Sequence, residues 1–367
     1  MEGLVMSAGV RPDPSFWKGR KVFLTGHTGF KGGWLSLWLE SMGAQVTGLA
    51  LVPESDLALY YAADVAQGVR SVFGDIRDLP YVRQVMLESE AEVVFHLAAQ
   101  PLVRASYSDP VTTYATNVMG TVNVLEAARQ TPTVRVVQVI TTDKCYENQE
   151  WMYPYRETDP LGGYDPYSNS KACAELVVDS YRCSFMQDAG IHLSSVRAGN
   201  VIGGGDWAVD RIVPDCIRSL LDGRPVQIRS PHAIRPWQHV LEPLCGYLCL
   251  AERQYAGQPG LDEAFNFGPD SSAIVPVCEL AAGIVRQWGD GQLDIRPDPH
   301  PLHEAGILRL DVSKSAARLG WHPRWGVTDT LFHTVDWYRR VGCLGDSARQ
   351  VCLEQIAAYV SPVEISN

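Results

Sequence analysis

Three glycines spaced three residues apart follow the first apolar segment and constrain the fold more than any other feature. Gly26, Gly29 and Gly32 stand in "KVFLTGHTGFKGGWLSLWLE", between a strand pattern and a helical one. Glycine lets the backbone turn tightly and lets a pyrophosphate approach a helix N-terminus, where N–H groups and the helix dipole favour negative charge. The context predicts a dinucleotide-binding turn, although a tight turn without a ligand would use the same residues. A phosphate-loop NTPase is disfavoured because Lys31 is followed by Gly32 and not by Ser or Thr.

The first half of the chain alternates short apolar runs with amphipathic stretches, which is the rhythm of βαβ units. The predicted strands cover 21–25, 44–51, 70–74, 92–98, 135–141 and 192–198, and the predicted helices cover 32–42, 79–89, 111–130 and 168–188. The strands are apolar on both faces, as in a parallel sheet covered by helices on both sides. The prediction is an α/β fold: a Rossmann-type doubly wound parallel sheet with a smaller C-terminal mixed α/β lobe that binds substrate.

The local composition of the sequence changes after about residue 200, where Gly- and Pro-rich loops such as "GNVIGGGDW" and "RSPHAIRPWQH" begin. We therefore predict a dinucleotide-binding domain with the catalytic residues over 15–200 and a lobe that mainly binds substrate over 201–345. Residues 1–14 and 346–367 are predicted to be terminal extensions.

The net charge and the distribution of apolar residues argue against several classes of protein. The 367-residue chain has a formal net charge of −11, which disfavours general nucleic-acid binding because such proteins present a basic face to phosphates. No apolar run approaches the roughly 20 residues of a membrane helix, and the first residues lack the apolar segment of a signal peptide. We expect a cytoplasmic protein with no membrane partner.

Metal and disulfide sites are not expected. The nine cysteines are scattered without a CxxC pair, and the Cys245/Cys249 spacing is typical of helix packing. His300 and His303 are three residues apart, but a proline lies between them, which disfavours a metal site.

The ends of the next strands carry further candidates for a dinucleotide site. The carboxylate that usually binds the adenosine ribose is expected about 20 residues after the glycine turn, where Glu54 or Asp56 comes a little late. No Arg stands there to bind a 2′-phosphate, which favours NAD over NADP. Asp75 follows the third strand and could accept from the adenine amino group. The alanines of "HLAAQ" (96–100) are small enough to let a cofactor lie close.

A Tyr and a Lys four residues apart supply the chemistry. Tyr167 and Lys171 in "YDPYSNSKACAE" lie on one helical face, so that the ammonium stabilises the phenolate and makes the Tyr a better base. Lowering the Tyr pKa by about three units requires roughly 4 kcal/mol. Thr142 ends a strand at the same edge of the sheet, where its hydroxyl could bind the reacting oxygen.

These motifs occur in the order found in extended short-chain dehydrogenases/reductases. The segments "TGHTGFKGGW", "GDIRD", "HLAAQ", "NVMGT", "TTDKCY", "YSNSK" and "VRAGNVIGGGDW" carry the resemblance over about residues 15–340. Within this family, "DKCY", "GGYDPYSNSKACAE" and "IRPWQHVLEPL" resemble the 4,6-dehydratases of the nucleotide-sugar branch that act on CDP-glucose.

The resemblance implies an NAD-dependent dehydration in which C4 of the sugar is oxidised, water leaves from C5 and C6, and the hydride returns to C6. Loss of hydroxide needs a general acid, and removal of the C5 proton needs a base. The resemblance implies that Asp143 is the acid. The residue after it is a Glu base in the dTDP-glucose relatives, and here it is Lys144, which is either a base of lowered pKa or a fixed positive charge.

The full set of candidate residues combines these motifs with those implied by the resemblance. The catalytic candidates are Thr142, Asp143, Lys144, Tyr167 and Lys171. The NAD-binding candidates are Gly26, Thr28, Gly29, Phe30, Lys31, Gly32, Asp75, Ile76, Leu97, Ala98, Ala99, Gln100, Asn117, Tyr167, Lys171 and Arg197. The substrate-binding candidates are Gln100, Arg104, Asn200, Arg211, Arg235 and Trp237.

The resemblance further implies a homodimer or a dimer of dimers, with helices 111–130 and 168–188 paired across a two-fold axis, and a place in deoxysugar synthesis for surface polysaccharides. Three other functions remain open. A nucleotide-sugar 4-epimerase would have no need of Asp143, and a dTDP-glucose dehydratase is disfavoured by Lys144. A non-catalytic NAD-binding sensor would have no need of Thr142, Tyr167 and Lys171 together.

Overall fold

The computed structural model describes residues 9–270, 273–297 and 307–361, and contains a parallel sheet between two helical layers. The strands of the chain are β1 (Lys21–Thr25), β2 (Gln45–Ala50), β3 (Val69–Phe73), β4 (Val93–His96), β5 (Val136–Ile140), β6 (His192–Arg197), β7 (Val201–Ile202), β8 (Val226–Ile228), β9 (Ile234–Pro236), β10 (Gln238–His239), β11 (Ala264–Asn266), β12 (Ile274–Pro276) and β13 (Leu293–Ile295).

The α-helices are α1 (Pro14–Trp17), α2 (Phe30–Ser41), α3 (Leu59–Ala62), α4 (Leu79–Ser89), α5 (Val103–Ser108), α6 (Pro110–Tyr114), α7 (Gly120–Arg129), α8 (Pro166–Tyr181), α9 (Ile212–Leu221), α10 (Leu241–Tyr255), α11 (Val277–Trp288), α12 (Ser313–Leu319), α13 (Val327–Arg339) and α14 (Ala348–Val360). Segments of 3₁₀-helix cover Val65–Gln67 and Asp143–Cys145, and π-helical segments cover Ala115–Met119, Arg182–Met186 and Arg340–Leu344.

The main sheet has seven strands in the order β11-β6-β5-β4-β1-β2-β3, and all of its pairings are parallel. The chain order reverses between β1 and β4, which places a crevice at the carboxyl ends of these two strands. The predicted doubly wound fold is confirmed, and the six predicted strands lie within two residues of the observed bounds.

Successive side chains of the central strands enter opposite helical layers. Phe23 and Val94 pack on the side of α4 and α7, whereas Leu24 and Phe95 pack with Trp34 of α2, and all five side chains are buried. The apolar runs that suggested burial on both faces are therefore explained by helices on both sides of the sheet.

The second half of the chain departs from the predicted pattern in one strand. β11, from the stretch "AFN", pairs with β6 and completes the main sheet, although no strand was predicted there. The other strands after residue 200 form two-stranded sheets: β7 with β10, β9 with β12, and β8 with β13. The predicted division at residue 200 stays a prediction.

The predicted helix 111–130 is present in three parts: α6, the π-helical segment and α7. In the predicted C-terminal extension, α14 packs against α2, where Trp38 and Tyr359 have ring centroids 5.8 Å apart. No helix within the described ranges is long and apolar enough to cross a membrane. His300 and His303 lie outside the described residues.

Candidate active site

The glycine turn brings the start of α2 very close to β1 and β4. Gly26 has φ +81°, and a Cβ there would lie 2.8 Å from the Ala98 nitrogen. A Cβ on Gly32 would lie 2.1 Å from the Gly26 carbonyl oxygen. Gly29 is the N-cap of α2 and has no side chain to cap its first N–H groups, so the helix start can accept an anionic ligand.

The end of β4 is fixed by hydrogen bonds that lead to α8. The Thr25 hydroxyl accepts from the backbone N–H groups of Leu97 and Ala98, both at 3.1 Å. Asn117, in the π-helical segment, accepts from the Gln100 N–H at 2.8 Å and donates to Ser170 Oγ at 2.9 Å. The predicted cofactor edge and the helix that carries Tyr167 are thus held in one hydrogen-bond network.

Other predicted cofactor residues lie around the same crevice. Thr28 donates to the Leu51 carbonyl at 3.0 Å. Asp75, after β3, pairs with Arg77 at 2.6 Å, and hydrogen bonds from Arg77 hold the pKa of this carboxyl below its usual value. The buried side chain of Ile76 occupies the space where Gly120 lacks a Cβ.

Arg197, a predicted NAD-binding residue, makes buried contacts within the protein. It is buried on β6, and its guanidinium forms an ion pair with Glu175 at 2.7 Å and donates to the Tyr146 hydroxyl at 2.8 Å. These contacts give Arg197 a structural role, and the NAD contact that the sequence predicted stays a prediction.

Thr142, Tyr167 and Lys171 meet at the carboxyl end of β5. Asp165 caps α8 by accepting from Ser168 N–H at 2.9 Å, and the helix then presents Tyr167 and Lys171 on one buried face. Lys171 Nζ donates to the Ile140 carbonyl at 3.3 Å. A hydrogen bond links the side chains of Tyr167 and Thr142.

The pKa of Tyr167 differs from the predicted one. Burial raises the pKa of Tyr167 to about 12, and its hydrogen bond with Thr142 opposes this only in part. Burial also lowers the pKa of Lys171 to about 8, against the opposing charge of Glu175. Desolvation of the phenolate thus outweighs both the hydrogen bond with Thr142 and the positive charge of Arg211.

Asp143 and Lys144 begin the 3₁₀ segment that follows Thr142. The Thr142 hydroxyl donates to Asp143 Oδ1 at 2.9 Å, and Asn200 Nδ2 donates to Asp143 Oδ2 at 3.4 Å. A Cβ on Gly199 would lie 1.8 Å from Asp143 Oδ2, so only glycine leaves room for this buried carboxylate. Lys144 is half-buried, and its backbone N–H donates to Thr142 Oγ1 at 3.3 Å.

The cationic side chains of Lys31, Lys171 and Arg211 lie near one another at the same edge of the sheet. Burial lowers the pKa of Lys31 to about 7, and the positive charges of Lys171 and Arg211 add to this effect, whereas Asp143 opposes it. Arg211 precedes α9 and pairs with Asp206 at 2.9 Å, and its charge favours ionisation of Tyr167. The sequence predicted Lys31 and Arg211 as separate ligand-binding residues, and the structure brings both near the catalytic candidates.

The remaining substrate-binding candidates, Arg104, Arg235 and Trp237, differ in burial and in the groups they contact. Arg104 on α5 pairs with Asp210 at 3.6 Å. Arg235 on β9 is buried and donates to the Ile234 carbonyl at 3.0 Å. Trp237 is also buried, and its indole N–H donates to the Val275 carbonyl at 3.2 Å, which leaves little ring surface on which a base could stack.

Sequence reasoning missed Gly199 and Glu175. Gly199 shapes the space for Asp143, and Glu175 forms the buried ion pair with Arg197. A signal for Glu175 is its position four residues after Lys171 in "KACAE", on the same face of the helix. Within the described ranges, no group of three or more His, Cys, Asp and Glu residues could hold a metal ion.

Comparisons with known proteins agree with this geometry. The family model described as GDP-mannose 4,6 dehydratase matches residues 23–334. A CDP-glucose 4,6-dehydratase from Salmonella typhimurium is 51% identical over 332 residues, which cover 89% of this chain and 92% of that protein.

Two solved structures share the fold. A dTDP-glucose 4,6-dehydratase from Streptomyces venezuelae with NAD bound has a TM-score of 0.75 at 24% identity, covering 88% of this chain and 98% of its own. A UDP-glucose 4-epimerase from Thermotoga maritima has a TM-score of 0.76 at 22% identity, covering 87% and 99%. The resemblance drawn from the motifs is confirmed, and the chain belongs to the GDP-mannose 4,6 dehydratase family.

Proposed function

We propose that the protein dehydrates CDP-D-glucose to CDP-4-dehydro-6-deoxy-D-glucose with NAD as its cofactor. The observation that carries the proposal is the meeting of Thr142, Asp143, Tyr167 and Lys171 at the carboxyl end of β5. A dehydrogenase or an epimerase would need the Thr, Tyr and Lys, whereas the buried acid beside them suits the additional loss of water. The name of the 51% identical relative supports the nucleotide.

The residues of the crevice fit a dinucleotide. Gly26 lets the turn approach the backbone of Ala98 at the end of β4, and α2 begins at a glycine N-cap. These N–H groups, with Thr28, Phe30 and Lys31, would hold the pyrophosphate, and Asp75 would contact the adenine. Bound NAD would accept the hydride from C4 of the sugar and return it to C6.

The chain's own residues would move the protons. Tyr167 would take the proton of the C4 hydroxyl while Thr142 holds the same oxygen. The positive charges of Lys171 and Arg211 would help this buried phenol to ionise. Oxidation at C4 makes the C5 hydrogen acidic, so Lys144 would act there as the base or as a fixed charge that stabilises the enolate. Asp143 would give its proton to the C6 hydroxyl as water leaves.

The anionic groups of NAD and of the nucleotide sugar would both lie near the cations of the same edge. Lys31, Lys171 and Arg211 lie close enough for the positive charges of the last two to lower the pKa of Lys31. An anion placed among like charges relieves their repulsion, which supports a diphosphate group near them. Arg104, Asn200 and Arg235 remain proposed contacts of the nucleotide sugar.

A homodimer is proposed from apolar side chains on the outer helices. Val111 on α6 is 78% exposed and Leu176 on α8 is 60% exposed, and Met119 and Phe185 on the adjoining π-helical segments are also exposed. Burying such a face against a second copy would stabilise a dimer. Further assembly into a dimer of dimers, a cytoplasmic location and a role in deoxysugar synthesis for surface polysaccharides are part of the same proposal.

The test is a parallel incubation with CDP-glucose, UDP-glucose and dTDP-glucose in the presence of NAD. The product is followed by its absorbance in alkali as a 4-keto-6-deoxy sugar, and mass spectrometry measures the loss of water. A product lighter by one water from CDP-glucose alone is expected. An isomerised sugar of unchanged mass would support the epimerase instead, and absence of any product would support the non-catalytic sensor.

A further inference from the structure

Glu175 joins the catalytic helix to two strands of the sheet. It lies on α8 four residues after Lys171, and only 3% of its surface is exposed. Its Oε2 accepts from Arg197 Nη2 at 2.7 Å and from Ser195 Oγ at 2.6 Å, and both partners are on β6. Its Oε1 accepts from the hydroxyl of Thr141, which directly follows β5.

The partners of Glu175 enclose the segment that carries the proposed acid. Thr141 stands between Ile140, whose carbonyl accepts from Lys171 Nζ at 3.3 Å, and Thr142. On the other side, Arg197 donates to the hydroxyl of Tyr146 at 2.8 Å, and Tyr146 directly follows the 3₁₀ segment. A movement of Glu175 would therefore be transmitted to both ends of Thr142–Cys145.

Glu175 also influences the charge of Lys171. Burial lowers the pKa of Lys171, whereas Glu175 on the same helix and Cys145 on the 3₁₀ segment raise it. Lys31 on α2 and His96 on β4 face Lys171 as well, and its positive charge lowers the pKa of both. Among these neighbours, Glu175 makes the largest contribution in favour of the ammonium form.

We propose that Glu175 is a positioning residue for the reaction, which rests on the proposed function: through Thr141, Ser195 and Arg197 it holds the end of β5 and the face of α8 that carries Lys171 in place. The negative charge of Glu175 one helical turn away also favours the ammonium form of Lys171. A carboxylate needed only for folding would require its pairing with Arg197 but not its charge beside Lys171. The two roles can be tested apart because Arg197 on β6 can be replaced without changing Lys171 on α8.

The test compares Glu175→Gln and the double variant Glu175→Gln/Arg197→Met with two matched controls. Glu175→Asp keeps the charge, and Thr141→Val removes one hydrogen bond while the charge remains. Competitive labelling with acetic anhydride over a range of pH, read by mass spectrometry of the Lys171 peptide, measures the charge state of Lys171 without any substrate. We expect the apparent pKa of Lys171 to fall by about one unit in Glu175→Gln, to fall by less in the double variant because Arg197→Met also removes a positive charge, and to stay near the wild-type value in both controls.

A second readout is the pH profile of C4 oxidation in a single turnover with CDP-glucose and NAD. Its alkaline limb should move to lower pH by the same amount in the Gln variants, with more activity retained at low pH than at high pH. A purely structural role would instead lower the rate by one factor at every pH.

Each outcome decides the question. An unchanged labelling profile in the Gln variants would overturn the proposal, and so would failure of both Gln variants to fold while Thr141→Val folds normally. The double variant lacks the unpaired guanidinium, so it remains informative if Glu175→Gln alone is unstable. A protein that labels as expected but never releases water from CDP-glucose would refute the proposed function and leave the effect of Glu175 on Lys171 standing.

Discussion

Glu242 and Lys31 both have pKa values moved to about 7 by burial, but they face groups of opposite kinds. Glu242 on α10 accepts from the backbone N–H groups of Arg324 and Trp325 and from the hydroxyl of Tyr359, the last two both at 2.7 Å. Lys31, at the crevice, has two other cations, Lys171 and Arg211, among its neighbours. Glu242 is thus surrounded by hydrogen-bond donors, whereas Lys31 lies near other positive charges.

This difference separates a structural cluster from a functional one. The four residues Glu242, Arg324, Trp325 and Tyr359, here called the C-terminal clamp, connect α10 to the segment before α13 and to the end of α14. The Arg324 guanidinium completes the clamp by donating to the carbonyls of Tyr359 and Ser361. Matched partners rigidify a fold, whereas neighbouring cations that carboxylates such as Asp206 and Asp143 offset only in part still favour a bound anion. We therefore expect the edge of the sheet that carries Thr142, Asp143, Lys144, Tyr167 and Lys171 with Lys31 and Arg211, here called the catalytic edge, to bind anions more readily than the clamp does.

Tyr167→Phe should have the largest effect of the following changes, because it removes the proposed base from the catalytic edge. We expect C4 oxidation to fall by about 10³-fold, within the usual contribution of general acid–base catalysis. NAD binding, measured by quenching of tryptophan fluorescence, should stay near the wild-type value, as should the melting temperature. Full turnover in this variant would assign the proton transfer to another residue.

Glu242→Gln tests the clamp and should leave turnover unchanged. Burial raises the pKa of Glu242 from 4.5 to about 7, so the folded protein holds a proton that the unfolded chain has released. The stability that this bound proton gives the folded protein is therefore fully present below pH 4.5 and is lost as the pH rises through about 7. Relative to wild type, the variant should gain up to about 3 kcal/mol in the free energy of unfolding between pH 4.5 and pH 8. Urea denaturation at both pH values measures the free energy of unfolding of the variant and of wild type. If the two proteins differ by the same amount at each pH, the proton on Glu242 is not the cause.

The fold was largely predictable because burial on both faces of a parallel strand leaves a continuous apolar run in the sequence. β11 was missed because it has only three residues, Ala264–Asn266, and its place in the sheet depends on pairing with β6. The catalytic candidates were found by short-range spacing, as with Tyr167 and Lys171. The ion pair of Glu175 with Arg197 joins a helix to a strand more than twenty residues later, so no local pattern marks it.

The local pKa values could not be predicted for a related reason. Spacing along a helix places Lys171 beside Tyr167, but it does not reveal how much water the fold removes from the phenol. Desolvation depends on every element that packs over the site, and here it raises the pKa of Tyr167 to about 12. Gly199 likewise carries no local signal in the sequence, because its role depends on the Asp143 carboxylate, which lies 1.8 Å from the position of the absent Cβ.

Asp143→Asn should separate oxidation from elimination at the catalytic edge. The amide has the shape of the acid but cannot deliver a proton, so NADH absorbance should still appear while release of water slows by about 10²-fold. Gly199→Ala is a matched variant, because its methyl group would displace the same carboxylate without changing its chemistry. It should also slow water release more than oxidation. Normal dehydration in Asp143→Asn would show that another group is the acid.

Lys144→Glu should have the smallest effect and tests whether Lys144 is a base or a fixed charge. If Lys144 is the base for the C5 proton, a carboxylate can replace it. A Glu side chain with a reference pKa of about 4.3 is unprotonated at neutral pH. We expect about a tenth of the activity to remain, with the pH optimum moved to lower values. Lys144→Met, which has neither a base nor a charge, is the control and should be less active than Lys144→Glu. If Lys144→Glu is instead the less active of the two, a negative charge at this position is harmful, and Lys144 acts as a fixed cation that stabilises the enolate.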